Sequence, residues 1–200
     1  MHLRSFLLSF ILVPTLSMAS ASQDDQFPIA GQVHDSHGYV PLTTPKPTLA
    51  DLLTIESSAS IFYSYARELE ISSMLSDKDG KVTVFVPTNK AVINMARKPH
   101  EEPDNGIEIE MTQEQADRRA KRNVERWVSA HFVPEYPLAF NSESHRTLYQ
   151  SKKLTFKPIS KSNDQDPTWE SVTINDGIRI LSKKEALNGD LYFIDGTILD

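Results

Sequence analysis

The chain has no cysteine at any of its 200 positions. Its fold therefore carries no disulfide staple, must hold by its core alone, and offers no cysteine nucleophile. Asn-x-Ser/Thr is absent as well: Asn141 is followed by Ser142 and then Glu143, so N-glycosylation is not expected. Positive charge is in deficit, with 21 Lys and Arg against 27 Asp and Glu and a formal net charge of −6. Such a chain has no overall electrostatic footprint for phosphate backbones, which argues against nucleic acid and anionic membrane surfaces as partners. No apolar run reaches the roughly 20 residues that a spanning helix needs, so stable membrane insertion is not expected. The familiar catalytic templates are missing too: there is no G-x-S-x-G elbow, no H-E-x-x-H and no Gly-rich phosphate loop. Scattered Ser, His and Asp residues do not constitute a triad. No internal repeat is visible.

Hydrophobic residues make up 39% of the chain, enough to bury a core. Residues 1–21 read as a signal peptide. His2 and Arg4 form a short polar start, Phe6 to Leu16 is an apolar run interrupted by Pro14, and Ala19-Ser20-Ala21 supplies the small-x-small cleavage pattern. The last residues, Ile198-Leu199-Asp200, lack the spacer and hydrophobic tail of a GPI signal. Residues 22–47 mix polar residues with prolines and glycines and read as a flexible tail. His34 and His37 flank Asp35 within it, but two ligands rarely make a metal site.

Order is expected from Thr48 to the end, residues 48–200, as one domain. Thr48 is placed to cap a helix bearing Leu49, Leu52 and Leu53, with Asp51 in its first turn. Ile61, Phe62, Tyr65, Ala66 and Leu69 predict a second helix over 58–69. Asp79-Gly80 turns the chain into a β-branched strand, Lys81 to Val86, which Pro87 ends. Thr88 then starts a short helix with Ala91, Val92 and Met95. Residues 97–111 are charged and turn-rich and read as an exposed insertion in which Glu101-Glu102 form a solvated face. Thr112 and Gln115 form a capping box for a helix whose face carries Ala116, Ala120, Val124, Trp127, Val128 and His131. Strands follow at Leu154–Phe156, Ser171–Ile174, Ile178–Leu181 and Leu191–Asp195, with Asn175-Asp176-Gly177 as a hairpin turn. Helices early and strands late predict an α+β fold. Asp77-Lys78-Asp79-Gly80 fails as a calcium loop, because its first and twelfth positions fall on Leu75 and Val86.

Two segments are more specific. Thr83-Val84-Phe85-Val86-Pro87-Thr88-Asn89-Lys90-Ala91-Val92 resembles the first signature of fasciclin (FAS1) domains, a strand entering a Pro-Thr-Asn turn and a helix. Asn188 to Leu199, which includes Gly189, Ile194 and Asp195, resembles the second signature, the closing strand. Trp127 to Pro134 resembles the helix end that carries a histidine in that family, here His131. All three fall in the family's order and spacing over roughly residues 48–199. The resemblance implies the FAS1 fold, with N-terminal helices packed against a β-sandwich or wedge. It assigns structural roles to Thr83, Phe85, Pro87, Thr88, Asn89, Ala91, His131, Asn188, Gly189, Ile194 and Asp195.

Thr88 or Asn89 is expected to cap the helix after the strand, and Asp195 to accept hydrogen bonds rather than catalyse. His131 is expected to be packed and hydrogen-bonded. Val86 replaces a usual small residue, Val92 a common aromatic, and Tyr192 a frequent histidine. Ala130 stands where some members have the tyrosine of a Tyr-His pair linked to integrin binding, so integrin recognition is not carried over. The resemblance implies a non-enzymatic adhesion or binding module without cofactor or metal, recognising a protein or glycan. Its place would be the secretory pathway, either secreted into the cell wall or matrix or held in a vacuolar lumen. The competing readings are a hydrolase or isomerase with an unrecognised site and a small-ligand carrier. The recognition surfaces expected are residues 97–111 and the exposed end of residues 127–134.

Overall fold

The computed structural model describes residues 45–101, 112–159, 167–175 and 177–199. The leader, His34 and His37, and the greater part of both the tail and the insertion lie outside the described residues. Those described fall within one compact unit, Thr43–Asp200.

Thr48 opens the first helix as expected. Its hydroxyl accepts from the Asp51 N–H at 3.2 Å while the Asp51 carboxylate accepts from the Thr48 N–H at 2.9 Å, the reciprocal capping box. Helix α1 (Leu49–Ile55) buries Leu49, Leu52 and Leu53. A 3-10 turn, Ser57–Ala59, leads into α2 (Ser60–Ala66), which ends a turn sooner than its apolar stripe predicts. The short α3 (Ser73–Ser76) precedes strand β1 (Val82–Pro87), and α4 (Asn89–Ile93) follows it directly. The long α5 (Gln113–Ala130) starts on its capping box, with Thr112 accepting from the Gln115 N–H and Gln115 reaching back. The remaining strands are β2 (Phe132–Val133), β3 (Ser144–Arg146), β4 (Lys153–Pro158), β5 (Val172–Ile174), β6 (Ile178–Ala186) and β7 (Gly189–Ile194).

The seven strands form one sheet in the order β2-β1-β7-β6-β5-β4-β3. Strands β1 and β7 lie side by side in parallel, with Val84 opposite Leu191 and Phe85 opposite Tyr192; every other pairing is antiparallel. Both are buried along their whole length, as parallel strands covered on two faces must be. Strand alternation divides their side chains between two cores. Val82, Val84, Val86, Leu191 and Phe193 join Leu49, Leu53, Phe62 and Trp127 from the helices. Phe85, Tyr192 and Ile194 join Phe156, Val172 and Ile174. Phe85 and Phe156 have ring centroids 6.1 Å apart, although three strands separate β1 from β4 in the sheet order. The sheet therefore curls back on itself around this second core, with the helices on its outer face. This is the α+β arrangement of helices against a wedge that the sequence predicts.

Strand β6 is longer than expected. A bulge between Ile180 and Ser182 leaves Leu181 51% exposed, and the strand continues through Lys183, Lys184 and Glu185. In the preceding turn Asn175 takes φ 48° and Gly177 φ 118°, the positive-φ pattern expected of a tight hairpin.

The β6–β7 turn gathers the fold. Asn188 is fully buried. Its side-chain oxygen accepts from the Leu49 N–H at 2.9 Å, and its amide donates to the Leu75 and Met74 carbonyls at 3.0 and 3.2 Å. One amide thus satisfies an unpaired N–H at the start of α1 and two carbonyls of α3. Its own carbonyl accepts from Val82 at 3.2 Å and starts the β1–β7 ladder. The next residue, Gly189, has φ 144°, and a Cβ there would lie 1.8 Å from the Val82 carbonyl oxygen. Only glycine fits where the two backbones approach so closely.

Replacing Asn188 by Ala removes three hydrogen bonds, two buried and one part-buried, and is expected to lower the unfolding free energy by about 3 kcal/mol, at about 1 kcal/mol each. Urea denaturation measures this, and a loss under about 1 kcal/mol would contradict the hub role. A second link is charged. Glu56 caps the 3-10 turn and meets the Lys184 ammonium at 2.6 Å, joining the helices to β6. Hydrogen bonds from Lys184 and then Ser58 hold its carboxyl down, at about 2. A carboxyl lowered on folding stabilises the fold above its unfolded value near 4.5 and loses that contribution as pH falls towards 2. Between those limits Lys184→Met is expected to flatten the acid-induced drop in melting temperature, read by calorimetry.

Candidate functional site

Both signature segments end beside the same groove. The Thr88 N–H donates to the Ile194 carbonyl at 3.1 Å, so β1 leaves the sheet level with the end of β7. The Thr88 hydroxyl accepts from the Ala91 N–H at 3.3 Å and caps α4. Asn89 does not share that cap. Its oxygen accepts from the Ile61 N–H at 2.9 Å and its amide donates to the Ser57 carbonyl at 2.8 Å and the Ser60 hydroxyl at 3.1 Å. The two signature asparagines therefore do one job at two places: each satisfies the free N–H groups of a helix remote in sequence.

On the other side, Asp195 turns the chain out of β7. Its carboxylate accepts from the Arg179 N–H at 2.8 Å and meets the Arg179 Nε at 3.1 Å. The closing segment is then fixed by His131, which is fully buried. His131 Nδ1 lies 2.7 Å from the Trp127 carbonyl, and the Ile198 N–H lies 3.2 Å from Nε2. A carbonyl only accepts and a backbone N–H only donates, so the ring is neutral with its proton on Nδ1. Its edge packs on Phe62 and Trp127 at centroid distances of 5.4 and 4.9 Å. His131 is a structural clasp between α5 and the segment that follows β7.

These anchored pieces frame two adjoining cavities of about 200 and 380 Å³ that share Met95 and Arg97. The smaller runs between residues 97–101, the last turns of α5 (Asn123, Arg126, Trp127), Tyr149 and Leu199. The larger lies between the α4 exit and Asp195, Gly196 and Thr197. Lys98 closes α4 by donating to the Ile93 carbonyl at 2.8 Å. Glu101 accepts from the Lys98 N–H at 2.7 Å and so is held within its own turn. Arg97 is half-buried and makes no ion pair with any described residue. Arg126 is exposed and stacks its guanidinium 5.8 Å from the Tyr149 ring centroid.

The remaining sequence-selected residues belong to the scaffold. Thr83 donates to the Glu135 carbonyl at 2.8 Å, Phe85 stacks on Tyr192 with centroids 5.4 Å apart, Pro87 pairs with Ile194 at the strand end, and Ala91 is buried. The exposed end expected of residues 127–134 narrows to Pro134: Trp127, Val128, Ala130, His131, Phe132 and Val133 are buried, because Phe132–Val133 adds β2 to the sheet beside β1.

Sequence reasoning also missed a polar cluster on β6 and β7. The Lys183 ammonium lies 3.0 Å from the buried Asp190 carboxylate and 3.1 Å from Glu185, and the Tyr192 hydroxyl lies 3.4 Å from Asp190. Burial and the Asp190 charge push the Tyr192 phenol up. Burial draws the Lys183 ammonium down, but its hydrogen bonds to Asp190 and Glu185 outweigh this and leave it raised. Both groups are held in their ordinary charge states, and neither cavity reaches them. The signal was the period-two spacing of Asp190 and Tyr192, opposite Lys183.

The family model for the fasciclin domain matches residues 57–200. The chain belongs to the fasciclin family. A FAS1 domain-containing protein of Emericella nidulans is 34% identical over 159 residues, which is 76% of this chain and 62% of the relative. One from Aspergillus fumigatus is 31% identical over 159 residues, 76% of this chain and 64% of the relative. The chain thus spans less than two thirds of the length of either relative. A solved structure of a FAS1 domain pair from the insect cell adhesion molecule fasciclin I superposes with a TM-score of 0.53, covering 78% of this chain and 52% of that chain. At 13% identity that likeness is one of fold. Fasciclin domains are a non-catalytic adhesion and binding fold. Among the described residues no three or more His, Cys, Asp or Glu side chains are grouped to hold a metal, and no helix is long and apolar enough to cross a membrane.

His131→Ala removes the clasp and leaves a void among Phe62, Trp127 and the closing segment. It is expected to cost about 3 kcal/mol of stability. Hydrogen exchange at the Ile198 amide is expected to accelerate beyond the global loss; unchanged relative protection there would refute the clasp.

Proposed function

We propose that this fasciclin domain is a recognition module of the secretory pathway that binds a protein or glycan in the groove beside Arg97 without converting it chemically. In this reading residues 1–21 are a leader, residues 22–47 a tail and residues 48–200 the binding domain. The place of action is the cell surface, the wall or matrix, or a vacuolar lumen.

The observation that supports this reading is the groove's construction. The segments leaving both signature strands and the α5 terminus meet at two adjoining clefts, whose lining sets loop and helix-end residues such as Arg97, Lys98, Glu101 and Thr197 around the buried Trp127 and Ala91. A rigid scaffold presenting short loops at one place is how non-catalytic domains build recognition surfaces. A small-ligand carrier calls for an enclosed cavity, whereas these are open clefts in which Asn94, Arg97, Glu101 and Asn123 set polar groups among apolar ones.

Ala96 is exposed and lines the larger cleft. Ala96→Trp blocks the groove sterically whatever the chemistry of the ligand. The purified chain, applied to arrayed extracellular glycans and matrix proteins, is expected to lose about tenfold or more of its affinity in this variant. Ser76→Trp, an exposed change outside the groove, should bind as wild type. Equal retention of Ala96→Trp and wild type would remove the groove from the proposal. Fractionation of a tagged full chain tests the compartment, and cytosolic residence would overturn it.

A further inference from the structure

We infer that the groove takes an acidic sugar: a polysaccharide segment whose carboxylate, sulfate or phosphate substituent sits between Arg97 and Arg126. The inference rests on the recognition reading above and names the ligand's chemistry.

The chain as a whole carries a net charge of −6, yet three basic side chains, Arg97, Lys98 and Arg126, line the smaller cleft against one carboxylate, Glu101. That carboxylate is engaged by the Lys98 backbone N–H, and the Lys98 ammonium by the carbonyls ending α4. The two guanidiniums are left without a counter-ion among the described residues. Arg97 is half-buried as well, so part of its hydration is already lost and an anion placed against it gains more than at an open surface. Guanidinium is also the side chain best shaped for two-point contact with carboxylate, sulfate or phosphate.

The rest of the groove selects a sugar over an acidic peptide. Tyr149, which lines the smaller cleft beneath Arg126, offers an aromatic wall for the C–H groups of a pyranose; Asn94 offers a donor and an acceptor for ring hydroxyls, and Asn123, whose amide donates to the Glu101 carbonyl at 3.5 Å, offers its oxygen. An extended peptide commonly binds by adding a strand to a free sheet edge. The strands that end at this groove, β1 and β7, are internal and paired on both sides. Two clefts joined through Arg97 suit a chain of sugar units with one acidic substituent at the junction.

The test is calorimetric titration of the full chain with oligogalacturonate, its methyl ester (the same backbone without charge), a sulfated dextran oligosaccharide, neutral dextran and poly-glutamate. Binding is expected for the acidic sugars, about tenfold or more weaker for their neutral counterparts, and strongly salt-dependent. The preference between uronate and sulfate identifies the source of the anion. Arg97→Gln and Arg126→Gln are each expected to weaken acidic-sugar binding about tenfold, while Arg97→Lys recovers part of the loss. Circular dichroism and thermal melts confirm that each variant is folded. Equal affinity for the methyl ester, or wild-type affinity in Arg97→Gln, overturns the anion site even if Ala96→Trp still abolishes binding, in which case the groove stands and its charge does not matter. Tighter binding of poly-glutamate than of either acidic sugar overturns the sugar assignment. Acidic-sugar binding that survives Ala96→Trp overturns both the inference and the groove reading.

Discussion

Where Val82 meets Gly189, the backbone of one strand passes so close to that of the other that no side chain can intervene, and the parallel pairing of β1 with β7 begins there. The helices pack on one face of this pair and the curled half of the sheet packs on the other. Each strand supplies alternate residues to both cores, so displacing one strand disrupts two packing interfaces at once. The residue before the contact, Asn188, ties the same point to α1 and α3. Backbone closeness, a buried amide and two cores thus share one location.

The groove inherits its rigidity from that location. Segments leaving β1 and β7 are level because the strands are parallel and in register, and the Thr88 N–H bonded to Ile194 keeps them so. The His131 clasp fixes the far end of the second segment onto α5. The loops lining the clefts are therefore anchored at both ends to the same frame. Arg97 and Tyr149 line the cleft that this frame holds open.

Much of this was legible from residues alone. Period-two and period-three-to-four patterns located β1, β7, α1 and α5, and both capping boxes could be read from Thr48 with Asp51 and Thr112 with Gln115. Charge hid the second half of β6, since Ser182 to Glu185 lacks the apolar alternation of a half-buried strand and is held by pairing with a fully buried one. Strands β2 and β3 are two and three residues long, too short to carry a pattern. The exposed part of residues 127–134 is only Pro134, because β2 follows the helix after the single residue His131 and is too short to show in a pattern. The three-way bonding of Asn188 and the back-reach of Asn89 join residues far apart in sequence, and no local pattern encodes such contacts. The groove was half-visible: residues 97–111 were singled out, and Arg97, Lys98 and Glu101 among them line it, but the meeting of Arg97 with Arg126 and Tyr149 exists only in the folded chain.

The parallel pair also bears on how the domain is made. Residues such as Val84 and Leu191 are neighbours in space yet roughly a hundred residues apart in sequence, so the central ladder closes a very long loop and has high contact order. During synthesis β1 emerges early and waits, apolar on both faces, until almost the whole remaining chain has been made. Helices α1 to α5 can form locally in that interval, but neither core can be completed. Completion of the fold therefore waits on the last strand, and the lack of cysteine leaves that step independent of the redox state of its surroundings.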